Sequence, residues 1–151
     1  MTAELLAAYG GVFVAAFLAA TLIPASSEAV LVGLLLAGTG SPWWLTVAAT
    51  LGNTLGGLFN WGCGRFLAHY RDAKWFPVPE RKIARASRWF ERFGLPSLLF
   101  AWVPVVGDAL TVIAGLLGVR VVPFLALVGT GKGLRYLFVT VTTLGIAGAS
   151  G

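Results

Sequence analysis

The chain has 151 residues, 58% of them hydrophobic and 11% charged, with a mean hydropathy of +0.85 and a formal net charge of +5. Water-soluble domains carry about 25% charged residues, so this composition excludes a soluble fold, and the length limits the chain to a single membrane domain over 1–151. The lone Cys63 excludes an internal disulfide, and with His69 as the only histidine there is no zinc-ligand spacing. Cys63 reads as a packing residue and His69 as a solvated or interfacial one, and neither a metal nor a cofactor is expected.

In chain order, the opening MTAELL holds no Lys or Arg, so a cleaved signal peptide is not expected. Residues 5–22 predict an apolar helix about 27 Å long. Pro24 interrupts it, and Ser26 or Ser27 can cap a second helix over 27–37, which Gly38-Thr39-Gly40 ends. At about 16 Å that second piece is too short to span. A re-entrant hairpin with its tip near Pro24 fits better, and irregular backbone at that depth requires cover by protein or a cavity. Pro42-Trp43-Trp44 reads as an interfacial anchor, followed by a full-length span over 44–64 with Asn53 near its centre.

Residues 65–92 hold eight cations against three acids, an excess equal to that of the whole chain. Within PERKIARASRWFERFG, Ile83, Ala86, Phe90 and Phe93 recur at helical spacing with cations opposite. This predicts an interfacial amphipathic helix whose Arg81, Lys82, Arg85 and Arg88 face anionic headgroups. The hydrophobic flanks argue against nucleic acid as the partner, and the positive-inside rule makes this loop cytoplasmic.

Residues 93–119 carry one charge, Asp108, and again a proline, Pro104, interrupts the apolar run just ahead of it. The segment 121–148 is apolar except for Lys132 and Arg135 near its middle. Its VGTGKGLRY resembles a phosphate-binding loop only loosely, because G-x-x-x-x-G-K-[ST] needs four residues between its glycines and a hydroxyl after Lys. No Ser/His/Asp or Cys/His set suggests catalysis, so an enzyme is not expected.

A shift of 80 residues brings the irregularities into register: Pro24 on Pro104, Glu28 on Asp108, Ala29 on Ala109, Gly38 on Gly118 and Thr50 on Thr130. Each half shares P-x-x-x-[E/D]-A and reads as a hairpin followed by a span. The predicted fold is therefore an all-α polytopic membrane protein of two inverted repeats, 1–64 and 93–151, joined by the basic amphipathic linker 65–92. An isolated charge at the bilayer centre costs at least about 2.5–3.5 kcal/mol. Glu28, Asp108, Lys132 and Arg135, with the amide of Asn53, are thus expected to form a charge-balanced substrate or proton site between the hairpins.

Four blocks, TLIPASSEAVLVGLLLAG, ATLGNTLGGLFNWGCGRF, WVPVVGDALTVIAGLLG and GTGKGLRYL, resemble the YqaA-like branch of the DedA family. These are bacterial inner-membrane proteins related to the VTT, or SNARE-associated, domain. The resemblance covers nearly the whole chain. It implies two facing re-entrant hairpins and a role in lipid handling and envelope homeostasis, including flipping of undecaprenyl phosphate or phospholipid. It also implies that Glu28 takes the place of the family's acid after the first tip, and that Asp108 lies in the block after the second. The wider pattern has arginines beside the second-tip proline where this chain has Trp102 and Gly107; Lys132 and Arg135 are the cations available to replace them.

Residues and resemblance together predict a transporter or flippase of an anionic lipid with a proton-linked step. The alternative is a non-transporting membrane-organising protein that binds anionic lipid or a partner through its basic loop. A small-ion or metabolite exporter shares the predicted fold. Four membrane elements make a small wall for a cavity, so a homodimer is also expected.

Overall fold

The computed structural model describes residues 2–21, 26–70, 80–104 and 106–149; Pro24, a predicted tip, lies outside them. All regular structure among these residues is helical. In order, it comprises α1 (Ala3–Thr21), α2 (Ser26–Leu36), α3 (Pro42–Leu67), a 3-10 turn (Ala68–Tyr70), α4 (Glu80–Phe93), a 3-10 segment (Leu95–Trp102), α5 (Val106–Leu116) and α6 (Val121–Ala149). By length and composition α1 and α6 are apolar enough to cross a membrane. With 26 residues α3 is long enough as well, but its Asn, Thr and Gly content makes it less apolar.

The two short helices α2 and α5 begin and end 80 residues apart, 26–36 against 106–116. Both end in the same cap. Gly38 (φ 65°) donates to Leu35 O and Thr39 to Leu34 O; Gly118 (φ 75°) donates to Gly115 O and Val119 to Ala114 O. This paired bonding closes the last carbonyls of a helix and requires a left-handed residue, which glycine supplies without a Cβ clash. Shared sequence spacing has become shared local geometry.

The chain forms two compact units. The first comprises residues 1–56 and 132–151, so it contains α1, α2, the N-terminal part of α3 and the C-terminal part of α6. Val12 and Ala16 of α1, Leu31 of α2, and Leu45 and Ala49 of α3 are fully buried together, with Tyr136 of α6 beside them. A Cβ on Gly52 would strike the carbonyl of Phe13, and one on Gly56 the carbonyl of Phe17. These two glycines, four apart, let α3 lie backbone to backbone on α1, a close approach that suits helices in lipid.

The second unit comprises residues 57–131. Its core is Leu98, Ala101, Ala114, Phe124 and Val128. Here too α3 packs through glycine, and reciprocally: a Cβ on Gly64 would strike Val112 O of α5, and one on Gly115 would strike Trp61 O of α3. The Trp61 indole donates to Val119 O at 3.0 Å. After Gly94 (φ 64°), Pro96 and the Ser97 hydroxyl bond to Gly94 O tighten the arm before Pro104 into 3-10 winding. The α4 helix rests on this core through half-buried Phe90.

Large apolar side chains point outward along the long helices, among them Leu6, Trp43, Trp44, Phe59, Val122 and Phe138, each more than half exposed. Such a surface suits acyl chains and not water. Cys63 belongs to it: the thiol is exposed, which corrects its reading as a packing residue. The physical reason is the seam at Gly64, which turns the neighbouring position on α3 away from the core. His69 is exposed as expected, within 3.2 Å of Arg65 O.

Candidate functional site

The polar residues of the first unit converge from three helices. On α6, Lys132, Tyr136 and Thr140 recur at i, i+4 and i+8, so they share a face, and all three are buried. That face meets Thr46 and Asn53 of α3 and the first turn of α2. Thr46 and Thr140 hydroxyls bond at 2.7 Å. The Asn53 amide donates to Ala16 O and to the Tyr136 hydroxyl, each at 3.0 Å, so both of its N–H groups are used. The Tyr136 hydroxyl also bonds the Ser27 hydroxyl at 2.8 Å. Of the two serines offered as caps, Ser27 lies inside α2 and its hydroxyl turns to α6.

Charge is layered onto this frame. Lys132 is 2% exposed, and its ammonium donates to Asn53 O at 3.1 Å. One turn along α6, the Arg135 Nε donates to Glu28 Oε1 at 2.5 Å, with the Glu28 side chain 34% and the Arg135 side chain 18% exposed. Glu28 is thus the open member of the group and Lys132 the sealed one. A buried charge is tolerated only with hydrogen bonds and a compensating environment, and a helix carbonyl supplies part of that for Lys132. Beside Asn53, the Thr54 hydroxyl is buried without a hydrogen-bond partner among the described residues.

Of the five residues predicted to form a site, Glu28, Asn53, Lys132 and Arg135 lie in this unit and are joined through Ser27 and Tyr136. Asp108 belongs to the second unit, half-buried in the first turn of α5, where its backbone carbonyl accepts the Thr111 hydroxyl at 2.7 Å. Pro104 is exposed in the turn leading to α5. Arg81, Arg85 and Arg88 are exposed on α4, and the Lys82 side chain lies outside the described atoms. GTGKG is continuous helix within α6, which has no loop to wrap a phosphate. Tyr136 and Ser27 were the residues sequence reasoning missed. Their signal was modest but present: Tyr136 stands four residues after Lys132, and Ser27 precedes the acid. No group of three or more metal-ligating side chains occurs among the described residues.

Comparison with known proteins places this geometry in context. The VTT domain matches residues 2–144. Inner membrane protein YqaA of Escherichia coli is 41% identical over 132 residues, covering 87% of this chain and 88% of that protein. The protein of that name from Shigella flexneri matches equally. An uncharacterized protein of Haemophilus influenzae is 36% identical over 135 residues, covering 83% of this chain and 80% of its own. No solved structure matches. With its two long apolar helices and a matched region that includes every residue of the polar group, the chain belongs to the VTT-domain, or DedA, family of multi-pass inner-membrane proteins.

Proposed function

We propose that this protein moves an anionic lipid, of the undecaprenyl phosphate or phospholipid class, across the inner membrane in support of envelope homeostasis. The observation that carries the reading is the polar group of the first unit: a sealed lysine, an arginine and a half-open carboxylate on apolar helices. Buried ion pairs are weak stabilisers because desolvation offsets their attraction, so a cluster of this kind is better accounted for by work than by structure. A guanidinium binds carboxylate and phosphate with the same two-pronged geometry. A lipid phosphate can therefore take the place of Glu28 on Arg135, and the released carboxylate can take a proton from the exposed side. Coupling to the proton gradient follows from that exchange.

The membrane arrangement belongs to the same proposal. At 11 residues, about 16 Å at 1.5 Å per residue, α2 and α5 are too short to span, which supports re-entrant hairpins. On that reading one odd crossing by α3 between the hairpins inverts the halves, and the positive-inside rule supports a cytoplasmic side for the cationic linker.

The test is flux of labelled lipid phosphate in proteoliposomes with and without a pH gradient. The expected result is gradient-dependent flux that Glu28→Gln and Lys132→Ala abolish while both variants still accumulate in the membrane. Full flux in either variant would defeat the proposal. The exposed arginines of α4 favour a second reading, a non-transporting protein that organises anionic lipid. Under it, Arg85→Glu with Arg88→Glu removes function while Glu28→Gln is silent.

A further inference from the structure

We infer that the second unit carries a binding site for a single anionic phospholipid: an apolar groove beside α4 takes an acyl chain, and the arginine arc of that helix takes the phosphate. The groove encloses about 460 Å³, inside the range of roughly 300–1,000 Å³ usual for ligand pockets. Its walls include Trp89 and Phe93 of α4, Phe100 of the 3-10 segment, and Val106 and Leu110 of α5. The polar atoms in that wall are the Trp89 indole N–H and the Ser97 hydroxyl, and the latter already donates to Gly94 O at 2.8 Å. The interior therefore offers mainly hydrocarbon, which suits a chain better than a headgroup.

Charge settles which lipid. At 100° per residue, Arg81, Arg85, Arg88 and Arg92 fall in an arc about 60° wide. Trp89 borders it on one side, while Glu80 and Glu91 lie on the other, away from the groove. The Arg92 guanidinium stands 5.6 Å from the centroid of the Phe93 ring, which lines the groove, and the Trp89 and Phe93 rings lie 4.6 Å apart. Cations therefore stand at the mouth of a hydrocarbon slot. A zwitterionic lipid brings an ammonium beside its phosphate and so gains less from the arc than a net anion does, and a free phosphate makes no use of the slot. The site does not depend on the transport reading, because none of its residues belongs to the first unit.

The experiment uses the purified full chain, equilibrated with equimolar phosphatidylglycerol and phosphatidylethanolamine of matched chains, with bound lipid counted by native mass spectrometry. Phosphatidylglycerol is expected to be retained at least about fivefold over its partner. Each basic residue near an anionic surface is worth a factor of about five, so Arg85→Gln with Arg88→Gln and Arg92→Gln brings the ratio close to one. Val106→Trp, which fills the groove, is expected to lower retention of both lipids without changing the oligomeric mass. Glycerol phosphate, a headgroup without chains, is expected not to compete with the wild type. Equal retention of the two lipids, competition by glycerol phosphate, or undiminished retention in Val106→Trp each overturns the site. A changed oligomeric mass in that variant with lipid still bound assigns the groove to a second copy of the chain and overturns it too. Loss of flux in Glu28→Gln with lipid retention intact separates this inference from the proposed function.

Discussion

At the scale of single residues, Tyr136 organises the first unit, because its hydroxyl serves Ser27 and Asn53 together. Hydrogen bonds between helices in lipid average about 0.6 kcal/mol and reach about 1.7. Tyr136→Phe should therefore lower stability by about 1–2 kcal/mol, read by thermal unfolding in detergent. Thr54→Val makes the opposite case. Its hydroxyl is buried without a hydrogen-bond partner among the described residues, so the nearly isosteric change should be neutral or stabilising by up to about 1 kcal/mol in the same assay. Destabilisation there would mean that the hydroxyl holds a ligand or water. Glu28, Lys132 and Arg135 stand out in the sequence, since a charge within an apolar run is costly and calls for a partner, although Asp108 carries the same signal and lies in the other unit. Tyr136 is quieter, because a phenol counts as apolar until its hydroxyl is seen to be buried. Cys63 misleads for a related reason: a small apolar side chain suits a core and a lipid-facing surface equally well.

At the scale of elements, the boundaries of α2 were legible to within a residue because Gly38 closes it with a left-handed cap, whereas α5 was marked only by the Pro104 break ahead of it and by the register of Gly118 with Gly38. The predicted span 44–64 lengthens to 42–67 because Pro42 suits the first turn and the helix runs on past Arg65. The seams were not legible. Twenty glycines look alike in a sequence, and only the fold shows that Gly64 and Gly115 face carbonyls while a Cβ on Gly33 would meet nothing. Gly64→Ala and Gly115→Ala should each cost about 1–3 kcal/mol, as overpacking does, and Gly33→Ala should be harmless by comparison. Because either methyl group opens the same α3–α5 contact, the double variant should cost less than the sum. Thermal unfolding of the four proteins checks both statements; strict additivity would place the two glycines in separate contacts. The 3-10 winding of Leu95–Trp102 was likewise hidden, since proline spacing marks a break without saying how the neighbouring turn is wound.

At the scale of the whole molecule, composition alone established a membrane protein, and four sequence blocks pointed to the family that the comparisons then showed. The division into compact units was not visible, because each unit borrows one part of α3 and one part of α6 from distant stretches of chain. Orientation has a direct test in a Cys63→Ser background. Ala84→Cys, exposed on α4, should react with a membrane-impermeant maleimide only after the inner face is opened; reaction in intact cells would reverse the topology. The modest apolarity of α3 also bears on biogenesis. With Asn53, Asn60 and its run of glycine and threonine, α3 is a poor substrate for the translocon by itself, yet its Gly52 and Gly56 are shaped to the backbone of α1. The nascent chain should therefore release α3 into lipid only once α1 is waiting beside it, and a ribosome-bound fragment of residues 38–92, which holds α3 but not α6, should remain extractable by carbonate.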